Sequence, residues 1–226
     1  MLNGSNKEMK RVLIAPLDWG LGHATRCIPI VRQLQARGLQ VFLAGEGAVQ
    51  SLLQAEFPEL PFLHLEGYRV QYGSNATTTM WQLLRQIPQI KAAIRNEKAW
   101  LSQMLMRYRF DAVISDNRYG LYHPGTYAVL LTHQLRIQAP TEGAAHLLQW
   151  MHYRYIQKFS ACWVPDVPGT PSLAGALSHP GSMPRLPVQY IGPISRFIPS
   201  STQQVSSGPL LLLLSGPEPQ RSIYID

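Results

Sequence analysis

The sequence predicts an α/β protein, a Rossmann-like parallel sheet with helices on both faces. Three observations carry this expectation. Short apolar runs rich in β-formers, such as VLIAPL, VFLAG and DAVISD, alternate with stretches of helical periodicity, and that alternation is the pattern of βαβ units. Glycines stand where strands give way to helices, at Gly20, Gly22, Gly45 and Gly47, where the chain must turn tightly. A hydrophobic content of 46% over 226 residues is ample for a core covering both faces of a sheet.

The elements follow in order. Residues 12–17 form a first strand and residues 23–36 a first helix, closed by Gly38 at the position after the C-cap. VFLAG, from Val41, is the second strand, with a helix around residues 48–54, and PFLHL a short third strand before an aperiodic polar loop over residues 67–79. The longest helical pattern runs over residues 80–107, and Pro88 inside it removes a hydrogen bond and is expected to kink or split it. Trp81, Leu84, Ile87, Ile90, Ile94 and Leu101 form its core-facing stripe, flanked by Arg85, Lys91, Arg95 and Lys98. DAVISD (residues 111–116) and YAVLLTH are the next strands, a helix spans residues 144–159, ACWVP is a further strand, and VQYIGP the last.

These elements make one domain over residues 1–195. Residues 196–209 have the serine-, glutamine- and proline-rich composition of a linker. Residues 210–226, an apolar strand and a glycine turn, read as the opening of a second domain, so the sequence predicts a truncated chain.

Lysine and arginine outnumber acids 20 to 13, giving a net charge of +7. An anionic partner is expected. The positives are scattered singly, as at Arg26, Arg32 and Arg37, which argues against a nucleic-acid binder. Cys27 and Cys162 lie far apart in apolar surroundings, the pattern of reduced buried thiols in a cytoplasmic protein. The polar N-terminal residues lack a signal-peptide core, and no apolar run reaches the ~18 residues of a membrane span.

In an open α/β sheet the ligand lies beyond the carboxyl ends of the strands. There the sequence places Asp18, Trp19, Gly20, Gly22 and His23 after the first strand, Gly45 and Glu46 after the second, Asp116, Asn117 and Arg118 after DAVISD, and His133 and Gln134 after YAVLLTH. His23 stands at a helix start, where the dipole disfavours imidazolium and a neutral ring accepts a proton. Asp116 is a second acid/base candidate, or a residue that orients the substrate. Asp18, Trp19, Gly20, Gly22, Asn117, His133 and Gln134 are the candidate substrate-binding residues. No metal is expected, because no histidine–cysteine cluster has ligand spacing. As a dinucleotide fingerprint G-L-G-H-A-T fails at Thr25, where a third glycine belongs, although Glu46 could imitate the ribose-binding acid. A nicotinamide-binding oxidoreductase domain is therefore the second reading, and a non-catalytic binding remnant the third.

The stretch LDWGLGHATRCIPIVRQLQARG resembles the N-terminal glycine loop and first helix of GT-B glycosyltransferases. It is most similar to family 28, whose members add N-acetylglucosamine to lipid-linked muramyl-pentapeptide. The matching residues are Gly22-His23 and the helix proline Pro29, and SGPEPQRS resembles the first loop of the nucleotide-sugar domain. The glycine loop is less dense in glycine than the family pattern. The resemblance implies the acceptor-side half of a two-domain fold and inverting, metal-independent transfer from a UDP-sugar co-substrate to an acceptor hydroxyl. His23 would be the base or acceptor-positioning group, and Ser215, Gly216 and Arg221 would face the donor. It also implies little activity without the second domain. Peripheral contact with the inner face of an anionic membrane is a further expectation, carried by the basic flank of the long helix.

Overall fold

The computed structural model describes residues 9–69, 76–139 and 141–197; of residues 76–85 the backbone alone is described. In chain order the elements are β1 (Arg11–Pro16), α1 (Leu21–Ala36), β2 (Gln40–Gly45), α2 (Gly47–Glu56), β3 (Phe62–His64), α3 (Ala76–Tyr108), β4 (Ala112–Asp116), β5 (Tyr127–Leu131), α4 (Glu142–Ile156), β6 (Ala161–Val164) and β7 (Val188–Tyr190). A single 3₁₀ turn, Gly175–Leu177, lies between β6 and β7.

The strands make one seven-stranded sheet in the order β3-β2-β1-β4-β5-β6-β7. Every pairing is parallel. The expected Rossmann-like α/β fold is thus the observed one. Because strand side chains alternate between faces, Val12 and Ile14 of β1 join Val41 and Leu43 of β2 beneath α1 and α2. Leu13 and Ala15 join Phe42 and Ala44 on the other face, under Leu101 of α3. The further strands continue this with Leu130, Cys162 and Val164 packed against Ile156 of α4.

Local chemistry sets the boundaries. Gly20, at the N-cap of α1, has φ 86°, a conformation that costs a residue with a Cβ far more than glycine. Gly38, just past the end of α1, has φ 73° and closes the helix where the sequence places its stop. Helix α4 begins earlier than expected, because Thr141 is its N-cap and accepts from the backbone N–H of Ala144 at 3.3 Å. Helix α3 also starts earlier, at Ala76, and it is continuous through Pro88. The expected division at that proline is not observed, and one missing N–H is tolerated in a helix whose middle and end are packed through Ile94 and Leu101. In the described part of the expected stripe Ile94 and Leu101 are buried, while Lys91, Arg95 and Lys98 are exposed. The linker and the opening of a second domain fall on residues outside the description, apart from residues 196 and 197.

The strand order reverses between β1 and β4, both of which leave the sheet at the same level, with Pro16 in register with Asp116. Such a switch point opens a crevice, because the connections on its two sides diverge. The β1–α1 turn and the residues after β4 and β5 meet there.

Candidate active site at the switch point

Asp116 is the last residue of β4 and is fully buried. Its register with Leu131 of β5 and Pro16 of β1 holds it at the floor of the crevice. Burying a carboxylate without partners is expensive, and Asp116 has several. Arg26, in the second turn of α1, donates from Nε to Oδ2 at 2.6 Å and from Nη2 to Oδ1. His23 lies one turn earlier with Nδ1 3.0 Å from Oδ1. Residues three apart share a helix face, so one turn of α1 presents both side chains to the same carboxylate. Cys27 adds a weak S–H contact to Oδ2 at 3.8 Å.

His133, beyond β5, completes the group, with Nδ1 3.1 Å from Arg26 Nη1. A guanidinium only donates, so this nitrogen of His133 accepts and its proton resides on Nε2. Burial, followed by the neighbouring charges of Arg26 and His23, pulls the His133 titration below the usual histidine value. For Arg26, burial opposes the charge but the hydrogen bonds and charge of Asp116 more than restore it, and the net shift is upward. Burial raises the Cys27 thiol well above its usual range, and Asp116 adds to this. It raises Cys162 to about 12, so both remain protonated and unreactive near neutral pH.

The side chain of His23 is 15% exposed against 0% for Asp116. Among the described residues its Nε2 makes no hydrogen bond. His23 Nδ1 lies between Asp116 Oδ1 and, at 2.8 Å, Arg26 Nη2; in the tautomer that donates from Nδ1 to the carboxylate, the open nitrogen is arranged to accept a proton.

The other expected residues take more varied places. Asp18 accepts from the backbone N–H of Tyr68 at 3.1 Å and packs tightly against Gly67. Trp19 stands edge-on to Tyr68, ring centres 6.3 Å apart, within the small cluster around Leu17 and Ile94. Both hold the segment after β3 against the crevice. Glu46 does the same, accepting from Gly67 N–H at 2.8 Å and from Arg69 at 3.4 Å. Its oxygens are thereby engaged, which counts against the ribose-binding role of the dinucleotide reading. Gly22 is helical, and a Cβ there would meet nothing within 4 Å, so only Gly20 of the pair has the positive φ that a turn requires.

Asn117 follows Asp116 with φ 57°, a costly conformation for a residue with a side chain. Its buried Oδ1 has no protein partner. Gln134 is exposed at the surface, and its backbone carbonyl accepts from His152 Nε2 at 2.7 Å. Ser215, Gly216 and Arg221 lie outside the described residues. Among the described residues no three of His, Cys, Asp or Glu gather as a metal site, and no helix is long and apolar enough to cross a membrane.

Sequence reasoning misses two features. Arg26 reads there only as one of the scattered positives, although its spacing of three from His23 is an available signal. The second is a fully buried ion pair behind the site. Arg118 donates from Nε to Glu97 Oε1 at 2.7 Å, and its other nitrogens reach the carbonyls of Pro16 and Glu66. Glu97 Oε2 accepts from Tyr68 Oη and from Gly120 N–H, each at 2.8 Å. This network ties α3 to the loops after β1, β3 and β4.

No protein-family model and no curated sequence matches the chain. Among solved structures, Phytolacca americana UGT2 complexed with UDP-2fluoro-glucose and pterostilbene matches with a TM-score of 0.53 at 14% identity, over 83% of this chain and 54% of that one. Spinosyn forosaminyltransferase SpnP has a TM-score of 0.47 at 14% identity, over 84% and 52%. UDP-N-acetylglucosamine 2-epimerase has 0.44 at 10%, over 70% and 42%. At these identities the likeness shows the fold alone. The chain spans about half the length of the solved structures it matches.

Proposed function

We propose that this chain is the acceptor-side half of a glycosyltransferase that moves a sugar from a UDP-linked donor to an acceptor hydroxyl with inversion. The observation that carries the reading is the pair formed by His23 Nδ1 and buried Asp116 Oδ1, 3.0 Å apart, at the switch point of a parallel sheet. In the reacting form Nδ1–H donates to Asp116 while Arg26 Nη2, 2.8 Å from Nδ1, directs its own hydrogens to Asp116 Oδ1, and the carboxylate fixes the ring and stabilises the imidazolium that forms. His23 Nε2 takes the proton of the acceptor hydroxyl as its oxygen attacks the anomeric carbon. The bond between that carbon and the diphosphate oxygen breaks, its electron pair leaves with UDP, and a single displacement inverts the centre. The step as written needs no metal, and the proton ends on His23. A cleft of 380 Å³ is lined by Gly22, Thr25, Arg26 and residues 194–197.

The fold match to a structure holding a UDP-sugar analogue and a small-molecule acceptor supports this reading, and the Gly22-His23 and Pro29 pattern resembles that of family 28. In this scheme the donor is held by a second domain that Ser215, Gly216 and Arg221 would begin. A cytoplasmic location and contact with an anionic membrane face belong to the same proposal, through exposed Lys91, Arg95 and Lys98.

The test incubates the complete natural polypeptide carrying these residues with UDP-sugars and a panel of hydroxyl acceptors. Release of UDP and the mass of the glycosylated product are measured. His23→Ala is expected to lower kcat by roughly 10²- to 10⁴-fold, the usual worth of a general base. Near-normal turnover in that variant would remove His23 from the mechanism. Thermal stabilisation by NAD(P) and not by UDP-sugars would favour the oxidoreductase reading instead.

A further inference from the structure

We propose that Arg26 is a positioning residue that compensates the buried charge of Asp116 and so opposes protonation of His23. The inference deepens the transfer reading above, and it stands on the geometry of four side chains from three parts of the fold. Asp116 has no exposure, so its carboxylate requires a cationic partner inside the protein. Two candidates touch it, Arg26 and His23. The guanidinium covers both oxygens in the side-on, two-bond geometry that makes arginine–carboxylate pairs strong.

With that charge already paired, protonation of His23 would place an imidazolium with Nδ1 2.8 Å from Arg26 Nη2. Two cations at that distance repel. While Arg26 is in place, that repulsion opposes placing a second positive charge on the ring. Without Arg26 the balance reverses, because Asp116 then has only His23 to supply a positive charge. Protonation of His23 would then restore a cation beside the buried carboxylate and would be favoured.

Among the described residues, these groups surround the ring. From α1 they are Arg26 and Cys27, the latter a buried thiol. From the end of β4 comes Asp116. From beyond β5 comes His133, its Nδ1 bound by Arg26. Beyond β6, Asp166 acts on His133 only through its field, because its carboxylate is engaged by Ser178 and by the backbone N–H groups of Val167, Leu173 and Ala174. Arg26 alone among them is a permanent cation, which is why its removal should be felt at His23.

The experiment follows the His23 ring by NMR through a pH titration of the 226-residue chain, with no need for substrate. In Arg26→Met the titration midpoint of His23 is expected to move up by at least one pH unit relative to wild type. Arg26→Lys keeps a charge without the fork and should fall between the two. Asp116→Asn removes the buried charge, and in that background Arg26→Met should produce no upward shift. The Asp116→Asn background also guards against a variant that fails to fold with an unpaired carboxylate.

An unchanged or lowered midpoint in Arg26→Met overturns the proposal, as does an equal upward shift in the presence and absence of Asp116. The outcome is separable from the transfer reading. If His23→Ala leaves turnover intact while the ring titration shifts as expected, the base assignment falls and the charge relationship stands.

Discussion

Replacing Arg118 with methionine should be the most damaging single change outside the candidate site. Arg118 and Glu97 are 0% and 2% exposed, so the substitution leaves a carboxylate inside the protein with no cation. Breaking a buried pair in this way costs about 3–5 kcal/mol. For a chain of this size each kcal/mol lowers Tm by about 2–4 °C, which predicts a fall of about 6–20 °C. The loss should also depend on pH. Burial pushes the Glu97 carboxyl above its usual value, while Arg118, Tyr68 and Gly120 pull it back. A carboxyl raised in the folded state binds more protons folded than unfolded, so its contribution to stability falls as pH rises above the usual carboxylate value. Without Arg118 that dependence steepens, and the variant should lose more at pH 8 than at pH 5. Adding Glu97→Gln should recover part of the loss, because an amide oxygen can still accept from Tyr68 and Gly120 without a buried charge. Circular dichroism melts of the three chains at both pH values measure this. A Tm for Arg118→Met within about 2 °C of wild type at pH 8, or an equal loss at both pH values, would refute the reasoning.

Three further outcomes are expected of the same chain. Gly120→Ala places a Cβ against the carbonyl of Ile94 and 2.5 Å from Glu97 Cβ, and this overpacking should cost about 1–3 kcal/mol by chemical denaturation; full stability would show that α3 yields there. Thr141→Ala removes the α4 N-cap and should cost about 1 kcal/mol, with Thr141→Ser close to wild type. His152, buried with Nε2–H on Gln134 O and Nδ1 3.0 Å from Tyr119 Oη, is pulled down to about 4. The unfolded chain binds more protons at this residue between pH 6.5 and 4, so stability should fall by about 3 kcal/mol as pH drops through that window. His152→Gln should flatten that slope, and an unchanged slope would exclude His152 as its source.

Much of this architecture is legible because its signals are local. VLIAPL and DAVISD read as buried strands from composition, and Gly38 ends α1 where its φ of 73° confirms a stop. The pairing of His23 with Asp116 across 93 positions is only half legible. Strand-end placement puts both residues at the same edge, but nothing in the sequence sets β4 beside β1. Arg26 escapes because a charged residue on an amphipathic helix reads as solvated unless its partner across the sheet is known. The same blindness hides Glu97 and places Arg118 at the ligand-facing rim, where the structure instead buries it against Glu97 through a contact between α3 and the β4 loop. At Pro88 a local rule predicts a kink or a split, and the split does not occur, because packing through Ile94 and Leu101 keeps α3 continuous.

The central claim is that His23 and Asp116 act as one catalytic unit, and a double-mutant cycle in transfer activity tests it most directly. His23→Ala, Asp116→Asn and the double variant are compared by kcat on one UDP-sugar and one acceptor hydroxyl. If Asp116 works only by holding and stabilising His23, the double variant should be no slower than His23→Ala alone, because groups that act as a unit are not additive. Losses that multiply, with the double variant slower by the product of the single effects, would contradict the account.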